Sequence, residues 1–225
     1  MATVETATTV DRALPVLGLR ITAGPIELRG ITDDMIIPLA GLVIEGIHAP
    51  GEMPFLSSWE LGPPEKMPRI IAQREWKRRA GFSPASWTAD LGVFWNGELV
   101  GEQSIFATDY LITRTAETGS WLSRRAQGSG IGTVMRQVVC AFAFDYLDAA
   151  YLTSIAFTDN AASRAVSRKV GYTENGIESL ARMGKPVMGQ RFLLEPGRLV
   201  RYEHPVTVVG LGAFRRSIGL GETQA

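Results

Sequence analysis

The sequence predicts an α/β chain of the α+β kind, and three observations carry that prediction. Two segments of strand-forming residues, Leu91 to Trp95 and Glu98 to Ala107, meet at Asn96-Gly97, the strongest short-range hairpin signal. A glycine-rich turn at Gln127 to Gly132 joins a strand to a helix with apolar residues at the 3.6-residue period. Two further segments, Tyr172 to Met183 and Gly189 to Leu194, read as a closing antiparallel pair. With 45% hydrophobic and 20% charged residues over 225 positions, the composition suits one globular domain with a sizeable core, or a domain with appendages.

Taken in order, residues 1–15 read as a flexible N-terminal arm, 16–196 as the main domain and 197–225 as a C-terminal extension. Leu17 to Thr22 and Ile26 to Arg29 are short strands parted by Gly24-Pro25. Thr32-Asp33-Asp34 carries a capping hydroxyl and first-turn acids, so a helix is expected from there to about Ile47, with Pro38 early enough to be tolerated. Prolines and glycines exclude a regular element over 48–64, and Phe55 and Trp59 within that loop either cover the core or line an acceptor pocket. Glu65 to Gly81 is expected as a helix with Ile70, Ile71 and Trp76 inward. After the hairpin comes a loop holding Asp109, then a strand over Thr115 to Ser123 and a helix from about Gly130 to Leu147. Its apolar residues Ile131, Met135, Val138, Val139, Phe142 and Tyr146 share one face. Tyr151 to Phe157 is a strand. Asp159 or Asn160 caps the next helix, which Gly171 ends. The apolar run Val206 to Leu211 is left open between a strand and a dimer contact.

Lys plus Arg and Asp plus Glu both number 23, so no net field gathers nucleic acid or an anionic membrane. The one cysteine, Cys140, lies in an apolar run and reads as a buried small hydrophobe. His48 and His204 are the only histidines, too few and too far apart in sequence to point to a metal site or a Cys-His pair. No secretory signal stands at Met1 to Thr9, and no apolar run is long enough to span a bilayer. A soluble, cytoplasmic protein is expected.

Glycines in a strand-to-helix turn let the backbone approach a ligand, and the first helical N–H groups are unpaired within the helix. With the helix dipole they favour an anion by ~0.3–1 kcal/mol, which points to phosphate or pyrophosphate. A Walker loop needs Lys-Ser/Thr after its last glycine, but Thr133-Val134 follow Gly132. A dinucleotide fingerprint fails because Gly132 comes one residue too soon after Gly130. A purely structural turn remains open on this motif alone.

The flanking segments narrow it. Gln127-Gly128-Ser129-Gly130-Ile131-Gly132 matches the Q/R-x-x-G-x-G/A signature of the GNAT superfamily, and Glu117-Thr118-Gly119-Ser120-Trp121-Leu122 resembles the E-x-G-Y-W-L strand of the branch that acetylates ribosomal-protein N-termini. Asp159 to Ser163 and Ser167 to Tyr172 resemble that branch's N-x-x-S and K-x-G-F/Y segments. The resemblance implies the GNAT fold, a mixed and mostly antiparallel sheet of about seven strands with about four helices. It also implies coenzyme A as cofactor, carried as acetyl-CoA.

By that resemblance Trp121 and Leu122 face pantetheine, and Gln127, Gly128, Ser129, Gly130, Ile131, Gly132 and Thr133 hold the pyrophosphate. Arg124 and Arg125 pair with CoA phosphates or form a solvated surface pair. Asn160 contacts the cofactor arm and caps a helix. Ser167, also set against the cofactor, occupies the position of the tyrosine that many members use as acid, so Ser163 is the expected proton donor. The acceptor amine must lose a proton to attack: an α-amine with a pKa of about 7.7–8.0 needs far less help than lysine near about 10.4. Glu117 is the first candidate base, with Asp109 and Glu102 behind it, and Phe55, Trp59 and Asp109 are the expected acceptor-side residues. The acceptor is a protein N-terminus, a lysine or a small amine, and a homodimer is possible in this class. Succinyl-CoA is the variant donor; an Arg or Lys beside the acyl pocket would favour it, and the sequence assigns no residue to that place. The competing class is a non-catalytic CoA-binding module.

Overall fold

A computed structural model of the chain describes residues 9–49 and 51–221. The expected arm falls outside the described residues up to position 8; beyond it α1 (Thr9–Ala13) and a 3-10 turn with Val16 buried lead into the sheet. Then come β1 (Arg20–Ala23), β2 (Ile26–Gly30), α2 (Ile36–Glu45), α3 (Met67–Ala80), β3 (Ser86–Trp95), β4 (Glu98–Thr108) and α4 (Tyr110–Thr113). The chain continues with β5 (Thr115–Leu122), α5 (Ile131–Tyr146), β6 (Tyr151–Phe157), α6 (Ala161–Val170), β7 (Thr173–Arg182), β8 (Lys185–Leu194), β9 (Thr207–Val209) and α7 (Leu211–Ser217).

Among the described residues the strands form one sheet in the order β7-β8-β6-β5-β4-β3-β2-β1-β9, and its only parallel neighbours are β5 and β6. That is a mixed, mostly antiparallel sheet with two strands more than the sequence suggests. Part of the excess is the C-terminal extension: β9 pairs with β1, and α7 plants Phe214 among Phe82, Trp87 and Phe142. Leu199, Phe214, Ile218 and Leu220 are buried in the same core as α5. The apolar run at Val206 to Leu211 is therefore strand and helix start, closing the sheet edge.

Local chemistry sets most element ends. Asn96 (φ 50°) and Gly97 (φ 83°) both take the positive φ that a tight hairpin turn requires. Asn160 Oδ1 accepts from the Ser163 amide at 3.0 Å, capping α6. Gly171 (φ 107°) ends α6, with the Arg198 carbonyl 2.0 Å from where a β-carbon would stand. The helix expected from Thr32 opens instead with a 3-10 turn over Asp33–Met35, and Pro38 falls in the first turn of α2, where its missing N–H costs nothing.

Helices α2 and α3 cover one face of the sheet and α5 the other. On α3 the buried positions are Met67, Ile71, Ala72 and Glu75. Trp76, expected inward, is 51% exposed, and its indole N–H donates to Asp33 at 3.2 Å. The period that buries Met67 and Ile71 brings Glu75 inward in its place.

Glu75 belongs to a buried cluster of three carboxylates and two guanidiniums. Arg74 pairs with Glu75 at 3.1 Å and also with Glu102. Arg78 reaches Asp90 at 2.7 Å and Glu102 at 3.4 Å, and the Ser104 hydroxyl donates to Asp90 at 2.5 Å. With one acid in excess, the cluster keeps a proton. Burial, with Asp90 and Glu102 repelling, pushes Glu75 up to about 8 from an ordinary 4.5. Asp90 is raised as well, first by burial and then by Glu102. Burial works the same way on Glu102, but Arg74 and Arg78 outweigh it and hold that group low.

A pH dependence follows. The stability due to the Glu75 proton is complete below about 4.5, declines as pH rises and is gone above about 8, because in that window only the unfolded chain releases the proton. Asp90 adds to the decline, whereas Glu102, shifted the other way, loses stability only on acidification. Thermal melts of Glu75→Gln should therefore be flatter with pH than those of the unaltered chain. Parallel curves would take the proton off Glu75.

Candidate active site

The site lies where β5 and β6 part. They pair in parallel from Thr115↔Tyr151 to Glu117↔Thr153, and the ladder stops there. Beyond that point the strands diverge around a cavity of about 550 Å³. Its far end is the turn between β5 and α5.

That turn has a backbone shape that could receive an anion. Gly128 (φ 75°) and Gly130 (φ 91°) take a backbone conformation that side chains resist, and a β-carbon on either would stand in open space. The first bonds of α5 run from the Thr133 and Val134 amides to the Gly130 carbonyl, at 2.9 and 3.2 Å, leaving the Ile131 and Gly132 amides at the helix start for a ligand. The Gln127 side chain clamps the turn, donating to the Leu122 carbonyl at 2.9 Å and the Ile47 carbonyl at 2.8 Å. Gln127, Gly128, Gly130, Gly132 and Thr133 line the cavity. Ile131 does not; its side chain is buried in the core. Ser129 turns its hydroxyl back to the Ala126 carbonyl at 2.8 Å.

The arginines before the turn are not brought in. Arg125 pairs with Glu98 at 2.5 Å, and the Arg124 side chain runs past Gly46.

Alternation along β5 sends Glu117, Gly119 and Trp121 to the α2–α3 face, and Thr118, Ser120 and Leu122 to the α5 face. Trp121 and Leu122 line the cavity, and the Trp121 indole donates to Glu102 at 3.2 Å. Glu117 lines it as well. Burial raises its pKa above the usual carboxylate range, with Arg191 opposing. Glu102 is held ionised within the buried cluster, and Asp109 stands at the head of α4, past the end of β4. Neither lines the cavity.

From β6 and α6 come Asn160 and Ser163, both on the wall. Ser167 is wholly buried one turn further, donating to the Ser163 carbonyl at 3.1 Å, so it does not reach the cavity. Phe55 lines the cavity. Trp59 stands behind it, 5.6 Å from the Phe55 ring and 6.1 Å from Trp121, with the Arg74 guanidinium 4.5 Å from its own ring. Cys140 is buried beneath, its thiol pushed up to about 11 by burial, which suits packing and not nucleophilic attack.

Cavity residues that the sequence did not suggest include His48, Glu52, Phe106, Arg136 and Lys169. A signal for Arg136 existed: Arg136-Gln137 interrupts an apolar run within α5.

A parted parallel strand pair, with a glycine turn at a helix start and an acid on the wall, has room for an extended ligand whose anionic group meets the turn. The sequence model of the acetyltransferase (GNAT) domain matches residues 53–173, more than half of the chain. The chain belongs to the GNAT family. It is similar to one curated protein and to two solved structures. A Bacillus subtilis protein named "Putative ribosomal N-acetyltransferase YdaF" is 31% identical over 87 residues, 39% of this chain and 47% of that protein. The chain thus matches about half the length of this curated relative. Among solved structures, the ribosomal-protein alpha-N acetyltransferase RimL in complex with coenzyme A superposes with a TM-score of 0.64 at 20% identity, over 77% of this chain and 95% of that one. Mycobacterium smegmatis RimJ in complex with CoA-disulfide gives a TM-score of 0.62 at 20% identity, over 82% and 88%. These two structures establish the fold. Among the described residues of this GNAT chain, no helix is long and apolar enough to cross a membrane.

Proposed function

We propose that the protein transfers a short acyl group from its coenzyme A thioester to a primary amine by direct attack in a ternary complex. The observation that carries this is the single cavity in which the glycine turn, the end of β5, Glu117 and Ser163 all meet. The turn holds the pyrophosphate, and the pantetheine arm runs beside β5 where β6 has left it. Acetyl-CoA and succinyl-CoA are both donors of this class.

The amine nitrogen attacks the thioester carbonyl, giving up one proton as it does so. Glu117, directly or through water, takes that proton. Its raised pKa narrows the gap to the amine. When the intermediate collapses, the carbon–sulfur bond breaks and the departing sulfur takes a proton from the Ser163 hydroxyl, which solvent restores. The products are an amide and free coenzyme A. An α-amine is roughly a tenth neutral near pH 7 and lysine far less, so a protein N-terminus is the acceptor that one modest base serves best. RimL, a ribosomal-protein alpha-N acetyltransferase in its own name, supports the same acceptor class.

With an acyl-CoA and a peptide bearing a free N-terminus, mass spectrometry should find the acylated peptide. Glu117→Gln should lower turnover by about 100-fold while leaving CoA affinity nearly unchanged, and Ser163→Ala should act in the same sense. Rates equal to the unaltered enzyme would remove these two roles. A CoA-induced thermal shift without transfer from any donor would favour the non-catalytic module, for which the buried Ser167 in the tyrosine position already speaks.

A further inference from the structure

Arg136 is a buried cation that the chain leaves short of partners. It stands on α5, is 4% exposed and lines the cavity where β5 and β6 separate. Its Nη2 donates to the Ser120 hydroxyl on β5 at 2.9 Å, and its Nη1 to the Ser154 hydroxyl on β6 at 3.2 Å. Its Nε is buried without a partner. Among the described residues no carboxylate lies within ion-pair distance of it. Arg215, equally buried, pairs with Asp148 at 3.0 Å. A buried guanidinium is costly unless an anion meets it, and two neutral hydroxyls do not supply one.

The position indicates what the missing anion is. The pyrophosphate of a bound donor is met by the glycine turn, at the open end of the divergence. Arg136 bridges Ser120 and Ser154 near the point where the β5–β6 ladder stops, toward which the thioester end of the arm would extend. A donor that places negative charge there carries it on its acyl chain. We infer that the preferred donor is a short acyl-CoA ending in a carboxylate, of the succinyl class, and that Arg136 is the residue that recognises that carboxylate. The three N–H groups not engaged by the serines, one of them on Nε, offer the planar fork that a carboxylate fits. Lys169, also on the wall, is exposed and needs no such partner. Transfer of this group would replace the positive charge of the acceptor amine with a negative one. The inference rests on the reading of the cavity as a coenzyme A site.

Calorimetric binding of CoA, succinyl-CoA and butyryl-CoA to the intact chain tests it without depending on turnover. Butyryl-CoA has the same chain length and lacks the carboxylate. Succinyl-CoA should bind about 10- to 100-fold more tightly than butyryl-CoA, the worth of a buried hydrogen bond to a charged group. In Arg136→Met that ratio should collapse toward one. Equal affinity for the two donors in the unaltered protein overturns the inference while leaving the coenzyme A site intact. Failure of CoA itself to bind removes the site and the inference together. A preference for succinyl-CoA that survives in Arg136→Met gives carboxylate recognition to another residue. The folding of the variant is checked by its melting transition, and the donor comparison in the unaltered chain stands without it.

Discussion

Gly130→Val is expected to abolish the rise in melting temperature that coenzyme A gives the unaltered protein. Two effects combine. The added side chain would occupy the open space in front of the turn, where a β-carbon now meets nothing within 4 Å. The residue would also have to hold φ at 91°, which costs a β-branched side chain about 1–2 kcal/mol or pulls the turn away from that shape. Either outcome disorders the row of amides that the pyrophosphate needs. The strain shows as a lower melting temperature without ligand, so ligand response and intrinsic stability are read from the same melts. A shift of unchanged size in Gly130→Val would move the phosphate site elsewhere. Ser129, whose hydroxyl turns to the Ala126 carbonyl, is the neighbouring control, and Ser129→Ala should keep the shift.

The second large effect is expected at Arg74→Met. Arg74 neutralises Glu102 and bonds to Glu75 between α3 and the sheet, and its guanidinium lies against the Trp59 ring. Removing it leaves three buried acid groups, the ionised Glu102 among them, facing Arg78 alone. Breaking a buried ion pair from one side costs about 3–5 kcal/mol, because the remaining charge stays desolvated. Chemical denaturation should show a loss of that order. Arg74→Met with Glu102→Gln should recover part of it, since the second change removes the stranded charge. A loss below about 1 kcal/mol would mean that water reaches the cluster and screens it. The damage would extend to the cavity wall at Phe55, because Trp59 stands between Arg74 and Phe55.

What could be read from the sequence was local. The hairpin at Asn96-Gly97, the Asn160 cap, the Gly171 stop and the glycine turn each depend on a few adjacent residues whose conformational limits are strong. They came out where expected, and with them came the fold class and the glycine turn at the head of α5. What could not be read depends on residues far apart. The inward turn of Glu75 makes sense only beside Asp90 and Glu102, which arrive on two later strands. Arg136 looks like a polar blemish on an apolar helix until Ser120 and Ser154 are seen on either side of it. Ser167 was set against the cofactor by its spacing from Asn160, but helical geometry buries it one turn below. Trp59, expected beside Phe55 on the acceptor side, stands behind the Phe55 ring while Phe55 itself meets the cavity. Asp109 follows the strand that carries Phe106, and its left-handed backbone turns the chain into α4.

The pairing of Arg20 with Val209 bears on how this chain is made. It joins residues from opposite ends of the described chain, so its closure carries the largest entropic cost of any contact in the sheet and comes late in folding. Until Phe214 arrives, the ring slot formed by Phe82, Trp87 and Phe142 is unfilled and the outer edge of β1 is unpaired. A ribosome that has synthesised the whole glycine turn has therefore not yet supplied the strand and helix that complete this sheet edge. The nascent chain keeps an open strand edge beside an apolar hollow until β9 and α7 emerge.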